Sequence, residues 1–306
     1  MSALSTYVED YLRLRRALGY KLERAGLVLP QFVAYLVAAG AATVTTELAI
    51  AWARLPAHAH PNHWAQRLAI VRGFARYLHT IDPATEVPPP GVFPTRRHRP
   101  APYLWSQDEI ARLLVGARAL RSPIRAATHE ALFGLLAASG MRVGEAIGLR
   151  RDDVDLGNGV ITIREAKFDR SRVVPLHETV TEALSRYAAE RDHLCPRPRS
   201  MAFFLSSTGT TLERSRVSKT FRQITTAIGV RTARAHPRVH DLRHSFAVST
   251  VVGWVRSGMC VDDHMAELST YLGHVSPADT YWYLSASPEL MALAAQRLHA
   301  RWGAGR

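Results

Sequence analysis

The sequence predicts a mainly α-helical protein in two domains, with a small antiparallel β-hairpin set among the helices of the second. Three observations carry this. Apolar residues recur at helical spacing before residue 86, a proline-rich stretch then interrupts the chain, and two short β-branched runs flank a polar turn near residue 168. The length of 306 residues agrees with two domains at about 150 residues each.

Tyr7, Val8, Tyr11, Leu12, Leu14 and Leu18 form a first helical stripe, and Trp64, Leu68, Val71, Phe74, Ala75 and Leu78 form another. The apolar stretch from Gly26 to Val44 is interrupted by Pro30 and Gln31. It reads as a buried helix with its flanking loop, because a membrane span needs about 20 mostly apolar residues. On the second stripe's helix Arg72, Arg76 and His79 fall on a different face, which is either a solvated surface or a DNA contact. These elements define a helical domain over residues 1–86.

Residues 87–102 hold six prolines, which continue neither a helix nor a central strand, so the segment is expected to be an extended linker. Its Arg96, Arg97, His98 and Arg99 suit a strap along a phosphate backbone, or a plain solvated linker. The second domain covers 103–306. Ser106-Gln-Asp-Glu109 is a capping-box pattern opening a helix, and residues 128–139 form an apolar helix that stops at Gly140, a left-handed cap. A further helix is expected at Gly144–Leu149. Gly159–Arg164 and Arg172–Leu176 read as the hairpin strands, and from Glu178 onward the pattern is mainly helical.

Lys+Arg 39 against Asp+Glu 26 gives a net charge of +13, which points to a polyanion, nucleic acid before anionic membrane. With 47% hydrophobic and 21% charged residues the composition is that of a packed globular chain, not a disordered one. Cys195 and Cys260 alone exclude a disulfide scaffold and a four-thiolate zinc site. The N-terminus lacks the basic-then-apolar layout of a signal peptide, so a cytoplasmic protein without a membrane span is expected.

Four stretches of the second domain hold polar residues that packing alone does not require. Arg142 follows the helix stop in Ser139-Gly-Met-Arg142-Val-Gly-Glu145. Lys167 lies in the hairpin turn. His240 and Arg243 share one helix face in His240-Asp-Leu-Arg243-His244-Ser-Phe, where an imidazole and a guanidinium can meet one anion. His240 and His244 also have metal-ligand spacing, but no general base lies between them and no third ligand is near, so no metal site is expected. The fourth stretch is Leu272-Gly-His274, followed by Tyr281, Trp282 and Tyr283.

In this order, over residues 101–295, these motifs resemble the tyrosine recombinase (phage integrase) family. The resemblance implies a helical, SAM-like core-binding domain and a catalytic domain forming a C-shaped clamp around DNA. It implies strand cleavage and rejoining through a 3′-phosphotyrosyl link without metal, ATP or other cofactor, with Arg142, Lys167, His240, Arg243, His274 and Tyr283 as catalytic residues. Tyr283, nine residues after His274, is favoured as nucleophile over Tyr281. Arg142 and Arg243 would grip the non-bridging oxygens, Lys167 would protonate the leaving oxygen, His240 would assist the tyrosine and His274 would hydrogen-bond the phosphate. Glu145 is read as bracing Arg142 or its turn.

The hairpin turn departs from the commoner glycine- and lysine-rich form. Asp169 there could pair with Arg170 or Arg172. The implied partners are double-stranded DNA with inverted-repeat half-sites and further copies of the chain, a homo-tetramer on DNA and a monomer or dimer when free, near the nucleoid. With about 90 residues ahead of the linker, no arm-binding domain separate from the core-binding one is expected. The tail from Ser287 to His299 is an amphipathic helix that docks on its own domain or on a neighbour. Two other readings stand beside recombination by a mobile element's enzyme: a type IB topoisomerase-like strand transferase, and a non-catalytic DNA-binding protein of the same fold.

Overall fold

The computed structural model describes residues 3–94, 101–166, 170–274, 280–281, 289–292 and 295–296. The chain divides into two compact units, Met1–Arg99 and Pro100–Arg306.

The described residues of the first unit form four helices: α1 (Ala3–Ala17), α2 (Glu23–Ala38), α3 (Thr46–Arg54) and α4 (Pro61–His79). The stripe read on α4 faces the core, with Leu68, Val71, Phe74, Ala75 and Leu78 all buried. On α1 the stripe is narrower than its spacing suggested. Leu4, Val8, Tyr11 and Leu12 are buried, but Leu14 and Leu18 stay exposed, because the helix ends at Ala17 and its last turn overhangs the core. Pro30 lies inside α2 and does not interrupt it. Pro30 itself is exposed, while Leu29, Phe32, Val33 and Leu36 anchor the opposite side in the core.

The start of the proline-rich stretch is less free than an extended linker. Arg72 donates from Nε to the Pro88 carbonyl and from a terminal nitrogen to that of Pro89, both at 2.7 Å. Phe93 is buried against Trp64, with ring centroids 5.8 Å apart.

The second unit opens with α5 (Gln107–Arg118), started by the expected Ser106–Glu109 capping box. Then come α6 (Pro123–Ser139), which begins one turn earlier than its apolar run, and the short α7 (Val143–Gly148). Strands β1 (Val154–Asp155), β2 (Val160–Ala166) and β3 (Arg170–Pro175) form one antiparallel sheet in that order, β1 adding a strand the sequence did not announce. Helices α8 (Glu178–Leu194), α9 (Arg214–Ala227), α10 (Val239–Arg256) and α11 (Val261–Leu272) follow. Helix α6 is central, packed on α5, α8 and α10 through Leu132, Phe133, Leu135 and Leu136, all nearly inaccessible. A fully buried side chain of this kind contributes about 1.5–3 kcal/mol, so the end of α6 is held in place.

That end is Gly140, at φ 60°, as the left-handed cap expected of it. A Cβ there would come 2.5 Å from the Phe246 ring, so neither the backbone angle nor the space suits another residue. Most of the tail lies outside the described residues. Where it is described, Leu290 is buried in the α10–α11 cluster of its own chain and Glu289 pairs with Arg256 at 2.5 Å. No described helix is long and apolar enough to cross a membrane.

Candidate active site

Two turns meet in the second unit. One runs from Gly140 to Arg142, between α6 and α7. The other runs from Leu272 to His274, where α11 ends at Gly273 with φ 67°. Helix α10 joins them through Arg243, which is 1% exposed and donates to the Gly140 carbonyl at 2.7 Å and to the Leu272 carbonyl at 2.8 Å. A buried guanidinium needs acceptors for its donors, and here the two turns supply them.

Arg142, the N-cap of α7, reaches across in the opposite sense. One terminal nitrogen donates to the Gly273 carbonyl at 2.7 Å and the other to Glu145 Oε1 at 2.8 Å, while its backbone N–H donates to Glu145 Oε2 at 3.0 Å. Its side chain keeps 36% of its surface open. Arg142 is thus fixed on one side and accessible on the other, whereas Arg243 is enclosed. Glu145 braces Arg142 at both backbone and side chain, as its spacing suggested.

His240 occupies the first turn of α10, which opens on a capping box between Arg238 and the buried Asp241. It shares a face with Arg243, and its ring meets His244 edge-to-face at 4.7 Å between centroids. More than a third of His240 is open to solvent. Even so, the protein crowded around the ring, and after it the charges of Arg243, Arg238 and Arg142, outweigh Asp241 and push its pKa down to about 4. The ring is neutral at pH 7 and can accept a proton. His274 is half-buried, its backbone N–H held by the Ser269 carbonyl at 2.9 Å and its Nδ1 hydrogen-bonded to the Thr280 hydroxyl at 2.6 Å. Thr280 is itself fully buried, while its neighbour Tyr281 is 44% exposed.

Of the six residues singled out by sequence, Arg142, Arg243 and His274 meet on this pair of turns, and His240 stands one helical turn before Arg243, within reach of the charges of Arg243 and Arg142. Lys167 and Tyr283 lie outside the described residues, as do Arg96, Arg97 and Arg99. In the first unit, Arg72 is engaged with the Pro88 and Pro89 carbonyls, and burial together with Arg76 lowers its pKa. Arg76 is exposed. Among the described residues, no group of three or more His, Cys, Asp or Glu is placed to hold a metal ion.

Two features escaped the sequence reading. Arg172 does not need Asp169 for a partner: it forms a two-pronged ion pair with Glu145, at 3.1 and 2.8 Å. The signal was present, because Arg172 stands on the same side of β3 as the buried Val174, a core-facing position where a charge requires a reason. The other feature is α9, which packs on α5 and α7 and turns Ser215, Ser218, Lys219 and Arg222 outward on one face. Its buried positions (Val217, Phe221 and Ile224) at helical spacing would have revealed that basic face.

The profile of the phage integrase family matches residues 105–289. Over 310 aligned residues the chain is 44% identical to a protein of Sinorhizobium fredii named integrase/recombinase y4rB, covering 99% of each. It is 29% identical to the tyrosine recombinase XerC of Azotobacter vinelandii, over 81% of this chain and 78% of that protein. Among solved structures it is similar to the Tn1549 transposon integrase in complex with a circular intermediate DNA, at a TM-score of 0.64, 16% identity and coverage of 95% and 99%. Similarity to the XerA recombinase reaches a TM-score of 0.51 at 20% identity, covering 97% and 98%. At such identities the structural likeness establishes the fold.

Proposed function

Because the chain belongs to the phage integrase family of tyrosine recombinases, we propose that it is a site-specific recombinase. It moves a mobile element by cleaving and rejoining DNA strands through a 3′-phosphotyrosyl intermediate, without metal or ATP. The observation that carries this reading is that Arg142 and Arg243 tie the turns at Gly140 and Gly273 together, with His274 on one of those turns and His240 beside Arg243 on α10.

In the transition state a phosphodiester gathers negative charge on its non-bridging oxygens, and fixed positive groups aimed there are the largest catalytic contribution. Arg142 and Arg243 supply two guanidiniums whose backbone anchors hold them before substrate arrives. The Tyr283 hydroxyl attacks phosphorus and its proton passes to neutral His240. The bond to the 5′-oxygen breaks, and Lys167 protonates that leaving oxygen. His274, steadied through Nδ1 by Thr280, presents the rest of its ring to a phosphate oxygen. Attack by the 5′-hydroxyl of a second strand reverses each bond change and releases the tyrosine. The covalent link keeps the energy of the phosphodiester, so no external energy source enters.

The duplex contacts fall to the basic face of α9, to the exposed Arg76 on α4, and to Arg96, Arg97 and Arg99, whereas Arg72 is taken up by the Pro88 and Pro89 carbonyls. The first unit serves as the core-binding domain, and copies of the chain assemble as a tetramer on inverted-repeat half-sites. Purified protein incubated with a randomised pool of nicked duplexes should trap covalently bound DNA. Sequencing the trapped strands gives the site and the polarity. A protein-linked 3′ end on an inverted-repeat half-site supports the reading. Binding without any trapped strand would leave a non-catalytic DNA-binding protein, and relaxation of plasmids at no preferred sequence would favour a topoisomerase.

A further inference from the structure

Arg172 sits where three pieces of the second unit meet. Its terminal nitrogens take both carboxylate oxygens of Glu145, at 3.1 and 2.8 Å, and its Nε donates to the Tyr271 carbonyl at 3.1 Å. The guanidinium lies so close over Gly273 that a Cβ there would come 2.6 Å from it. Only 14% of the Arg172 side chain is exposed and 11% of that of Glu145, so solvent screens this pair far less than a surface pair.

Glu145 also accepts from Arg142, at Oε2 from the backbone N–H at 3.0 Å and at Oε1 from the guanidinium at 2.8 Å, so only one carboxylate oxygen meets the Arg142 guanidinium. Two guanidiniums thus compete for one carboxylate, and the more enclosed one holds both of its oxygens. The trio carries one net positive charge, and the exposed member of the trio is Arg142. Without Arg172, the carboxylate would turn both oxygens to Arg142 and cancel the charge where the phosphate must bind.

Resting on the reading of the site given above, we propose that Arg172 is a positioning residue for strand cleavage. By occupying Glu145 it leaves Arg142 charged toward the scissile phosphate, and it fixes strand β3 to the turn that carries His274. Glu145 is then a shared counter-ion whose grip on Arg142 is limited by the second arginine.

The test separates charge from packing. Arg172→Lys keeps a cation against Glu145, Arg172→Gln removes the charge but keeps a donor for the Tyr271 carbonyl, and Arg172→Gln/Glu145→Gln removes both charges. The covalent cleavage rate is measured in a single turnover on a nicked duplex at saturating DNA, beside the Kd for the same duplex and a thermal melt of each variant. Arg172→Gln should cleave about 10–100-fold more slowly than wild type, the range typical of residues that orient a ligating group. Its Kd should hardly change. Arg172→Lys should be clearly faster than Arg172→Gln, and the double variant should recover much of the lost rate.

Equal rates for the lysine and glutamine variants, or a double variant no faster than Arg172→Gln, would overturn the proposal. Should Arg172→Gln fail to fold, the double variant decides, since it buries no lone charge. A rate within about tenfold of wild type supports the proposal, and a larger loss overturns it. Arg142→Ala is the control. If it cleaves as well as wild type, the reading of the site itself fails. If it is inactive while the Arg172 variants match wild type, only this inference fails.

Discussion

The two units use their arginines in different ways. In the first, arginines hold the fold they belong to: Arg67 lies 3.7 Å over the Trp52 ring and donates to the Trp52 carbonyl at 3.1 Å, and Arg72 fastens the proline run to α4. In the second, Arg142, Arg172 and Arg243 come from three distant parts of the sequence and point their donors at the same two turns. The difference teaches that a net charge of +13 says little about where chemistry occurs. Guanidiniums gathered from distant parts of the sequence onto the same carbonyls and one carboxylate say more, because burying such groups is costly unless they are paired.

The comparison breaks most visibly within the second unit. Arg142→Ala and Arg243→Ala should each lower single-turnover cleavage by about 10²–10³, the cost of removing one preorganised donor from a developing oxyanion. Their effects on stability should part company. Arg243→Ala strips partners from the buried Gly140 and Leu272 carbonyls, at about 1–3 kcal/mol for each group left unsatisfied. Arg142→Ala, at a half-open site, should cost much less in a denaturant melt. Equal destabilisation by the two would erase the distinction between an enclosed anchor and an open claw.

A second expectation concerns acid. His129 is 4% exposed, packs edge-to-face on Phe133, and donates from Nδ1 to the Arg125 carbonyl at 2.8 Å. Burial, opposed by that hydrogen bond and joined by the charge of Arg125, lowers its pKa from 6.5 to about 4. The unfolded chain therefore takes up the proton first. The contribution of a neutral His129 is complete above pH 6.5 and is lost as the pH falls toward 4, by about 3 kcal/mol at 1.36 kcal/mol per pKa unit. Melts of His129→Leu between pH 7 and pH 4 should decline less steeply than those of wild type, and parallel curves would refute the assignment.

Gly140→Ala should cost about 1–3 kcal/mol, from a left-handed backbone forced on a residue with a Cβ and from the contact with Phe246. Its cleavage rate should fall as well, since both arginine anchors depend on that turn. The smallest effect is expected in the first unit. Arg76→Ala should leave stability and saturated cleavage unchanged while reducing the slope of log binding constant against log salt by about 1, as loss of one phosphate contact requires. An unchanged slope would return Arg76 to the solvated surface.

Much of this architecture was legible in the sequence, and for definable reasons. The Gly140 stop, the Ser106–Glu109 capping box and the α4 stripe are local signals, settled within one or two helical turns. The motif residues Arg142, His240, Arg243 and His274 were legible because their order in the chain resembles a known family. Other features were hidden because they depend on partners far away in sequence. Glu145 and Arg172 are 27 residues apart, and only the folded chain shows one carboxylate serving two arginines. Pro30 and Gln31 interrupt the apolar stretch from Gly26 to Val44, yet packing of Leu29, Phe32 and Val33 carries α2 through them. The strand β1, two residues long, has no periodicity to detect.

In the proposed mechanism the turns at Gly140 and Gly273 bind the scissile phosphate for attack by Tyr283, nine residues beyond His274. Wild type, Tyr283→Phe and Tyr281→Phe should be incubated with a nicked suicide duplex carrying the selected site, and the protein–DNA adduct resolved by denaturing electrophoresis. An adduct is expected with wild type and with Tyr281→Phe, and none with Tyr283→Phe at undiminished DNA binding. An adduct that persists in Tyr283→Phe and vanishes in Tyr281→Phe would contradict this mechanism.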